Sequence, residues 1–348
     1  MFKKLLHIVA LLLLVPALGQ AAPSERIPYA NLMFPAESIN VKALDAFARQ
    51  QGLMLNIMYF TSDSMLMLKL KQGMADSPVD ALFTQPYNQW NVNSAHGLLE
   101  LDHELIPNMK ILPAELREVI NVDPKSRYMV PVVGGVLSIV VNSNLVDPGQ
   151  ITGYADLWQD DLKGKIIIPE DFYSIVPLVL KTIDCTQEDL LDRVWEKMQT
   201  LAQNSYLIAN NTVDPMLDNK TAVAIAFSCD AYNLIQQNPG LVLITPREGY
   251  HGWVDTVSIP ANSRHQRVAH AYIDYLLRPK VMARICSDVG LTPIIMESYN
   301  LLSEDNSNPL LFHPQEFMEF VKTPLDLRTF ESLHSRWRKL VDEKSSAN

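Results

Sequence analysis

The chain reads as an α/β protein of two domains. Three observations carry that reading: strand-like and helical segments alternate along it, it is 348 residues long, and 48% of its residues are hydrophobic. One core rarely organises a chain of that length, and the apolar content is enough for two. With 20% charged residues and no low-complexity segment, it lacks the make-up of a disordered protein.

Asn31 to Phe34 is a short apolar strand, Val41 to Gln51 a helix stopped by Gly52, and Leu53 to Phe60 a second strand, so residues 31–60 predict a βαβ unit. A helix from about Asp63 to Gln72, closed by Gly73, and a strand at Ala81 to Phe83 continue the alternation and predict a mainly parallel sheet. Tyr128 to Asn142 is β-rich with Gly134-Gly135 in its middle, the expected passage between the domains. Lys165 to Ile168 is again a strand. Thr186, with Asp189 three residues on, opens a helix in which Leu190, Leu191, Val194, Trp195, Met198 and Leu201 share one face, which places Trp195 in the core. Ala222 to Phe227, Leu241 to Thr245 and Trp253 to Ile259 are strands. His265 to Leu277 is a helix, Pro279 opens another to about Asp288, and Gly290 follows. Two helical segments, near Gln315 to Val321 and Leu327 to Asp342, end the chain.

Residues Met1 to Ala21 carry Lys3 and Lys4, an apolar run from Leu5 to Val15, and a small-residue site at Gly19-Gln20-Ala21, the pattern of a cleaved export signal. An uncleaved membrane anchor is the alternative, and the run is well short of the roughly 20 residues a span needs. Removal of the signal leaves 27 basic against 39 acidic residues, a formal charge of -12 where the whole chain has -10. That sign is wrong for wrapping a nucleic-acid backbone, so no nucleic-acid partner is expected. Cys185, Cys229 and Cys286 are too few for a disulfide framework and too far apart for a compact zinc motif. Whether two of them form one bridge stays open.

In open α/β sheets ligands sit beyond the carboxyl ends of the strands. That rule selects Glu37 after the first strand; Thr84, Gln85 and Tyr87 after Phe83; Glu170, Asp171 and Ser174 after Ile168; and Phe227, Ser228 and Asp230 after Ala226. Trp253 and Asp255 are two apart on a strand, so their side chains point to one face. An ammonium group is held best by a carboxylate together with a π face, and an alkyl chain between ammoniums by flat apolar walls. Any one of these acids could equally be a helix cap; their convergence on one cleft favours an organic cation. Catalytic signatures are missing: the sequence has no G-x-S-x-G elbow, no P-loop and no dinucleotide fingerprint. His96 with His103, and His265 with His270, lack metal-ligand spacing, and His251, Asp255 and Ser258 are close enough in sequence to form a chance triad only. No cofactor, no metal and no enzymatic activity are expected.

Gly249 to Asn262 (GYHGWVDTVSIPAN), the helix ending at Leu276-Leu277-Arg278-Pro279, and Tyr154 to Trp158 (YADLW) with Leu162-Lys163-Gly164 resemble the periplasmic polyamine-binding proteins of ABC transporters, the spermidine and putrescine receptors. The order of elements from residue 31 to about 342 is similar as well. The resemblance implies a two-lobed type II periplasmic binding protein fold. Each lobe would be a mainly parallel sheet flanked by helices, with a hinge between them. The implied division is 22–133 with 256–302 as the first lobe and 134–255 with 303–348 as the second. It also implies a periplasmic receptor, expected to be monomeric, that captures a polyamine and docks onto a membrane permease. Trp253 and Asp255 match the family's aromatic wall and amine-binding acid, Tyr87 an aromatic of the first lobe, Glu37 a carboxylate near the first strand, and Asp171 an acid of the second lobe. Phe227 stands where the family usually has tryptophan. Pro35 and Ser38 fall where it has aromatics, Ser174 where it has a second acid, and Leu291 where it has tyrosine, so the ligand set implied here is Glu37, Gln85, Tyr87, Asp171, Ser174, Phe227, Trp253 and Asp255. A receptor of the same fold for another small or cationic solute, and a polyamine sensor without transport, remain alternatives.

Overall fold

The computed structural model describes residues 28–35, 41–60, 65–66, 68–69, 78–88, 97–119, 123, 125–184, 186, 188–209, 212–303, 308–322 and 327–347. The export signal at 1–21, Glu37, most of the helix expected from Asp63 to Gln72, His96 and Cys185 lie outside these residues. The strands in chain order are β1 (Tyr29–Pro35), β2 (Met54–Phe60), β3 (Ala81–Thr84), β4 (Met129–Asn142), β5 (Ile166–Ile168), β6 (Ser205–Ile208), β7 (Val223–Phe227), β8 (Leu241–Ile244), β9 (His251–Ser258) and β10 (Thr292–Pro293). The described helices are α1 (Val41–Gln51), α2 (Ala114–Val119), α3 (Phe172–Leu180), α4 (Leu190–Asn204), α5 (Val213–Leu217), α6 (Ser228–Gln237), α7 (Gln266–Leu276), α8 (Pro279–Val289), α9 (Met296–Ser303), α10 (Pro314–Val321) and α11 (Glu331–Ala347).

One sheet runs through the molecule in the order β2-β1-β3-β9-β4-β7-β5-β6, with β8 and β10 also paired to β4. At each end the pairing is parallel, as the βαβ alternation predicted: β1 with β2 and β3, and β5 with β6 and β7. The middle is antiparallel, because β4 and β9 run against each other and against β7 and β3. β4 pairs with β9 from Met129 to Leu137 and with β7 from Leu137 to Val141, so one unbroken strand belongs to both halves of the sheet. All of its 14 residues are buried. Cover on both faces explains a continuous apolar run where a half-exposed strand would alternate.

Side-chain alternation along β4 feeds two cores. Val136 and Val140 enter one with Phe34, Phe47, Leu82 and Tyr272, while Leu137, Ile139 and Val141 enter the other with Phe172, Ile175, Met198 and Trp337. Leu310, Phe312 and Phe317 pack in the first core and α11 in the second. The Gly134-Gly135 pair, read as a passage between domains, lies in the strand shared by both halves, where close neighbours leave no room for a side chain. A Cβ on Gly134 would lie 2.4 Å from Phe317 Cζ, and one on Gly135 would lie 2.4 Å from Ser228 Oγ and 2.6 Å from Trp253 Cζ2.

Helix α4 follows its predicted face at Leu190, Val194, Met198 and Leu201, which are buried, whereas Leu191, also predicted there, is exposed. Trp195 departs from it: the ring is half-buried at the rim, with the Arg336 guanidinium 4.0 Å from its centroid. Helix α3 has no amphipathic signal, because residues 172–179 are buried on every side, and it carries Pro177, which cannot donate within the helix.

Candidate functional site

Asp171 is the N-cap residue of α3, where an aspartate ordinarily accepts an N–H of the first turn. It makes no such bond, and its Oδ2 is buried without a partner among the described residues. Ser174, in the first turn, is 1% exposed, and its Oγ is likewise unpartnered. Asp255 lies on β9, 6% exposed, opposite Val133. Burial, and then the nearby Asp171 carboxylate, push the Asp255 carboxyl up to about 7. Burial raises Asp171 as well, against the pull of the nearby Ser174 and Tyr173 groups, which fall short of hydrogen-bond geometry, and of Gln85. No cation faces either acid among the described residues.

Trp253, two residues from Asp255 on the same face of β9, is 8% exposed and meets Phe227 edge to face at 5.6 Å and 89°. The indole lies flush against β4 only because residue 135 has no side chain. Its Nε1–H has no acceptor among the described residues. Phe227 ends β7 as the N-cap residue of α6, and Ser228 beside it accepts the Val136 N–H at 3.3 Å. The Cys229 thiol is held protonated by burial, with Asp230 and Asp255 adding to the shift. Gln85 and Tyr87 follow β3 from the other half of the sheet. Gln85 reaches Asp171, and Tyr87 stacks on Tyr173 at 4.9 Å and 16°.

The site thus holds two buried carboxylates with raised pKa values, Asp255 in part through Asp171, near the Trp253 indole, the Phe227 ring and the Tyr87 ring. The sequence signature of the bacterial extracellular solute-binding protein family matches residues 76–319. The chain belongs to that family. This solute-binding protein is 24% identical over 276 residues to the spermidine/putrescine-binding periplasmic protein of Salmonella typhimurium, covering 78% of this chain and 79% of the relative. It is 21% identical to the putrescine-binding periplasmic protein SpuD of Pseudomonas aeruginosa over 95% of both chains. Among solved structures, the spermidine/putrescine substrate-binding protein PotD of Streptococcus pneumoniae superposes with a TM-score of 0.71 at 22% identity, covering 91% of this chain and 99% of that one. The TpPotD lipoprotein of Treponema pallidum gives 0.75 at 17%, with the same coverage. The fold is therefore the two-lobed periplasmic binding protein fold. A ferric binding protein of Campylobacter jejuni shares it at a TM-score of 0.66, 17% identity and 90% coverage of this chain, so the fold alone does not choose the ligand.

Of the residues singled out in the solute-binding protein's sequence, Asp171, Ser174, Asp255, Trp253, Phe227, Gln85 and Tyr87 are described, and contacts or electrostatic coupling link Gln85 to Asp171, Asp171 to Asp255 and Phe227 to Trp253. Glu37 is outside the described residues. Other features serve the fold. Tyr154 donates its hydroxyl to the Leu137 carbonyl at 2.7 Å, and Glu248 accepts the Tyr154 and Ala155 N–H groups, so the YADLW segment is an anchor against β4. His251 is buried and pushed down to about 3, mainly by desolvation, and stays neutral. It is four positions from Asp255 along an extended strand, about 13 Å, and Ser258 points to the other face, so these three make no triad. Tyr173, next to the selected Ser174, carries no sequence signal of its own, because it lies inside the unpredicted helix α3.

Proposed function

We propose that this solute-binding protein captures a polyamine of the putrescine or spermidine class between its lobes and delivers it to the membrane permease of an ABC importer. The observation that carries this reading is the buried Asp171–Asp255 pair, lacking a counter-cation and lying beside the Trp253 wall. Two adjacent carboxylates out of water retain a proton; an ammonium group replaces that proton and lets both ionise. Asp255 and Asp171 pair with ammonium groups, Trp253 and Phe227 flank the methylenes, and Gln85, Ser174 and Tyr87 complete the lining at its Asp171 end. Glu37 is proposed as a further carboxylate from the first lobe. The relatives named for spermidine and putrescine support the same ligand class.

The protein works in the periplasm as a monomer, after export on the signal at residues 1–21. The proposed lobes are 22–133 with 256–302 and 134–255 with 303–348. Binding selects the closed state, since only there do both lobes touch the ligand, and the amine leaves unchanged. A thermal-shift panel of putrescine, cadaverine, spermidine, spermine, basic amino acids and divalent metals tests the reading. Polyamines raise the melting midpoint by mass action; no shift with any of them at millimolar concentration overturns it. Mass spectrometry of the amine after incubation recovers it intact, and any turnover removes the receptor reading.

A further inference from the structure

Tyr87 does not face an open cleft. Its ring lies on that of Tyr173, with centroids 4.9 Å apart and planes 16° apart. Tyr87 follows β3 in one half of the sheet, and Tyr173 is in the first turn of α3, which follows β5 in the other, so the stack bridges the two halves. Two residues earlier on each side, Gln85 reaches Asp171. The pairs 85–171 and 87–173 thus form one seam. Tyr173 is 5% exposed and is backed by Phe172, edge to face at 5.2 Å, and by His334 at 5.5 Å from α11. Trp337 of the same helix donates its Nε1–H to the Glu170 carbonyl at 2.7 Å. The C-terminal helix therefore holds the turn carrying Asp171 on both sides of that residue.

An alkyl chain lying between two rings needs carbon contacts of about 3.5–4.0 Å on each side, so roughly 7–8 Å from ring to ring. At a centroid separation of 4.9 Å no chain passes between Tyr87 and Tyr173. Asp171 is closed toward the first half by Gln85 and the stack. Asp255 lies on β9, the strand against which α3 packs, close enough to Asp171 for that carboxylate to raise it. A short diamine can end at Asp171 with the seam intact. A longer triamine has to part the rings and draw Gln85 from Asp171, so its binding works against closure.

We propose that the Tyr87–Tyr173 stack is a plug that ends the ligand cleft at Asp171 and makes this protein a receptor for short diamines in preference to longer triamines, a selectivity that rests on the amine reading above. Calorimetric titration of the mature protein with putrescine and with spermidine tests it, in the wild type and in Tyr173→Ala, Tyr87→Ala and Tyr173→Phe. Putrescine is expected to bind the wild type about tenfold more tightly than spermidine, and loss of either ring to shrink that ratio about tenfold, the weight of one aromatic pair. Tyr173→Phe keeps the ring and retains the discrimination. Melting curves check that each variant folds, and Tyr87→Ala, at a half-buried position, carries the test should Tyr173→Ala not fold. Spermidine binding the wild type as tightly as putrescine, or a ratio unmoved by removal of a ring, overturns the plug. Failure of both amines to bind the folded wild type overturns the amine reading itself, and the plug with it.

Discussion

Asp80 and the Asp171–Asp255 pair are buried aspartates in different parts of one sheet, with opposite surroundings. Asp80, fully buried, accepts from Asn31 N at 2.8 Å, Ser263 Oγ at 2.8 Å and His265 N at 3.1 Å, and its Oδ2 lies 3.0 Å from His265 Nδ1. It ties β1, β3 and the turn before α7 together. Asp171 keeps an orphaned Oδ2 and gives up its helix cap, and Asp255 meets chiefly the field of its neighbour. A buried carboxylate saturated by its own chain is a structural clamp; one left unsaturated is destabilising until something from outside arrives. Burial and residue type are the same, so the partners decide the role.

Asp80→Ala leaves several buried donors without an acceptor, and urea unfolding should show a loss of about 3 kcal/mol or more. A loss below about 1 kcal/mol would mean that water serves these donors equally well. Asp255→Ala is the counterpart. Polyamine affinity falls about 100-fold or more while the melting midpoint of the empty protein holds or rises, because an unfavourable buried charge is gone. A lower midpoint with unchanged affinity would put Asp255 in the same class as Asp80.

Gly135→Ala sharpens the role of the wall. Its Cβ would meet Trp253 Cζ2 at 2.6 Å and Ser228 Oγ at 2.4 Å, so the indole must shift. Overpacking of this kind costs about 1–3 kcal/mol, and ligand affinity should fall with stability. Affinity that holds in Gly135→Ala would show that the indole position is not needed.

The smallest effect is set by pH. The folded-state carboxyl of Asp255 is pushed up to about 7, above its unfolded value near 4, so its contribution to stability is fully present below about 4 and is lost as pH rises through 7. The empty protein should therefore melt higher at pH 5 than at pH 7.5 on account of this group. Amine affinity moves the other way, falling by at most about tenfold per pH unit below 7, as protons compete for the site. In Asp255→Asn both slopes become shallower, leaving the part that the raised Asp171 carboxyl contributes; slopes unchanged by the substitution would mean that Asp255 is not the titrating group.

Much of this was legible in the sequence where the signal is local. Trp253 and Asp255 share a face because strand periodicity is two, and the strand-end rule picks out the residues after β3, β5 and β7 from the sequence alone. Helix α3 was not legible, since a segment buried on all sides has no periodic pattern, and Tyr173 went unnoticed with it. Trp195 shows the converse error: helical spacing placed it on the apolar face but could not say that the face ends at its ring, where Arg336 covers it.

By itself the sequence determined the alternation of elements, the two-domain size, the acidic charge and the set of polar and aromatic residues at strand ends, because each depends on neighbours a few positions apart. Tertiary structure alone decided that β4 and β9 run antiparallel through both halves, that residue 135 must be glycine to admit an indole from residue 253, that Asp171 raises Asp255 from 84 positions away in sequence, and that Tyr87 closes on Tyr173. These contacts join segments far apart in the chain, and no local propensity records which distant side chain arrives at a given face.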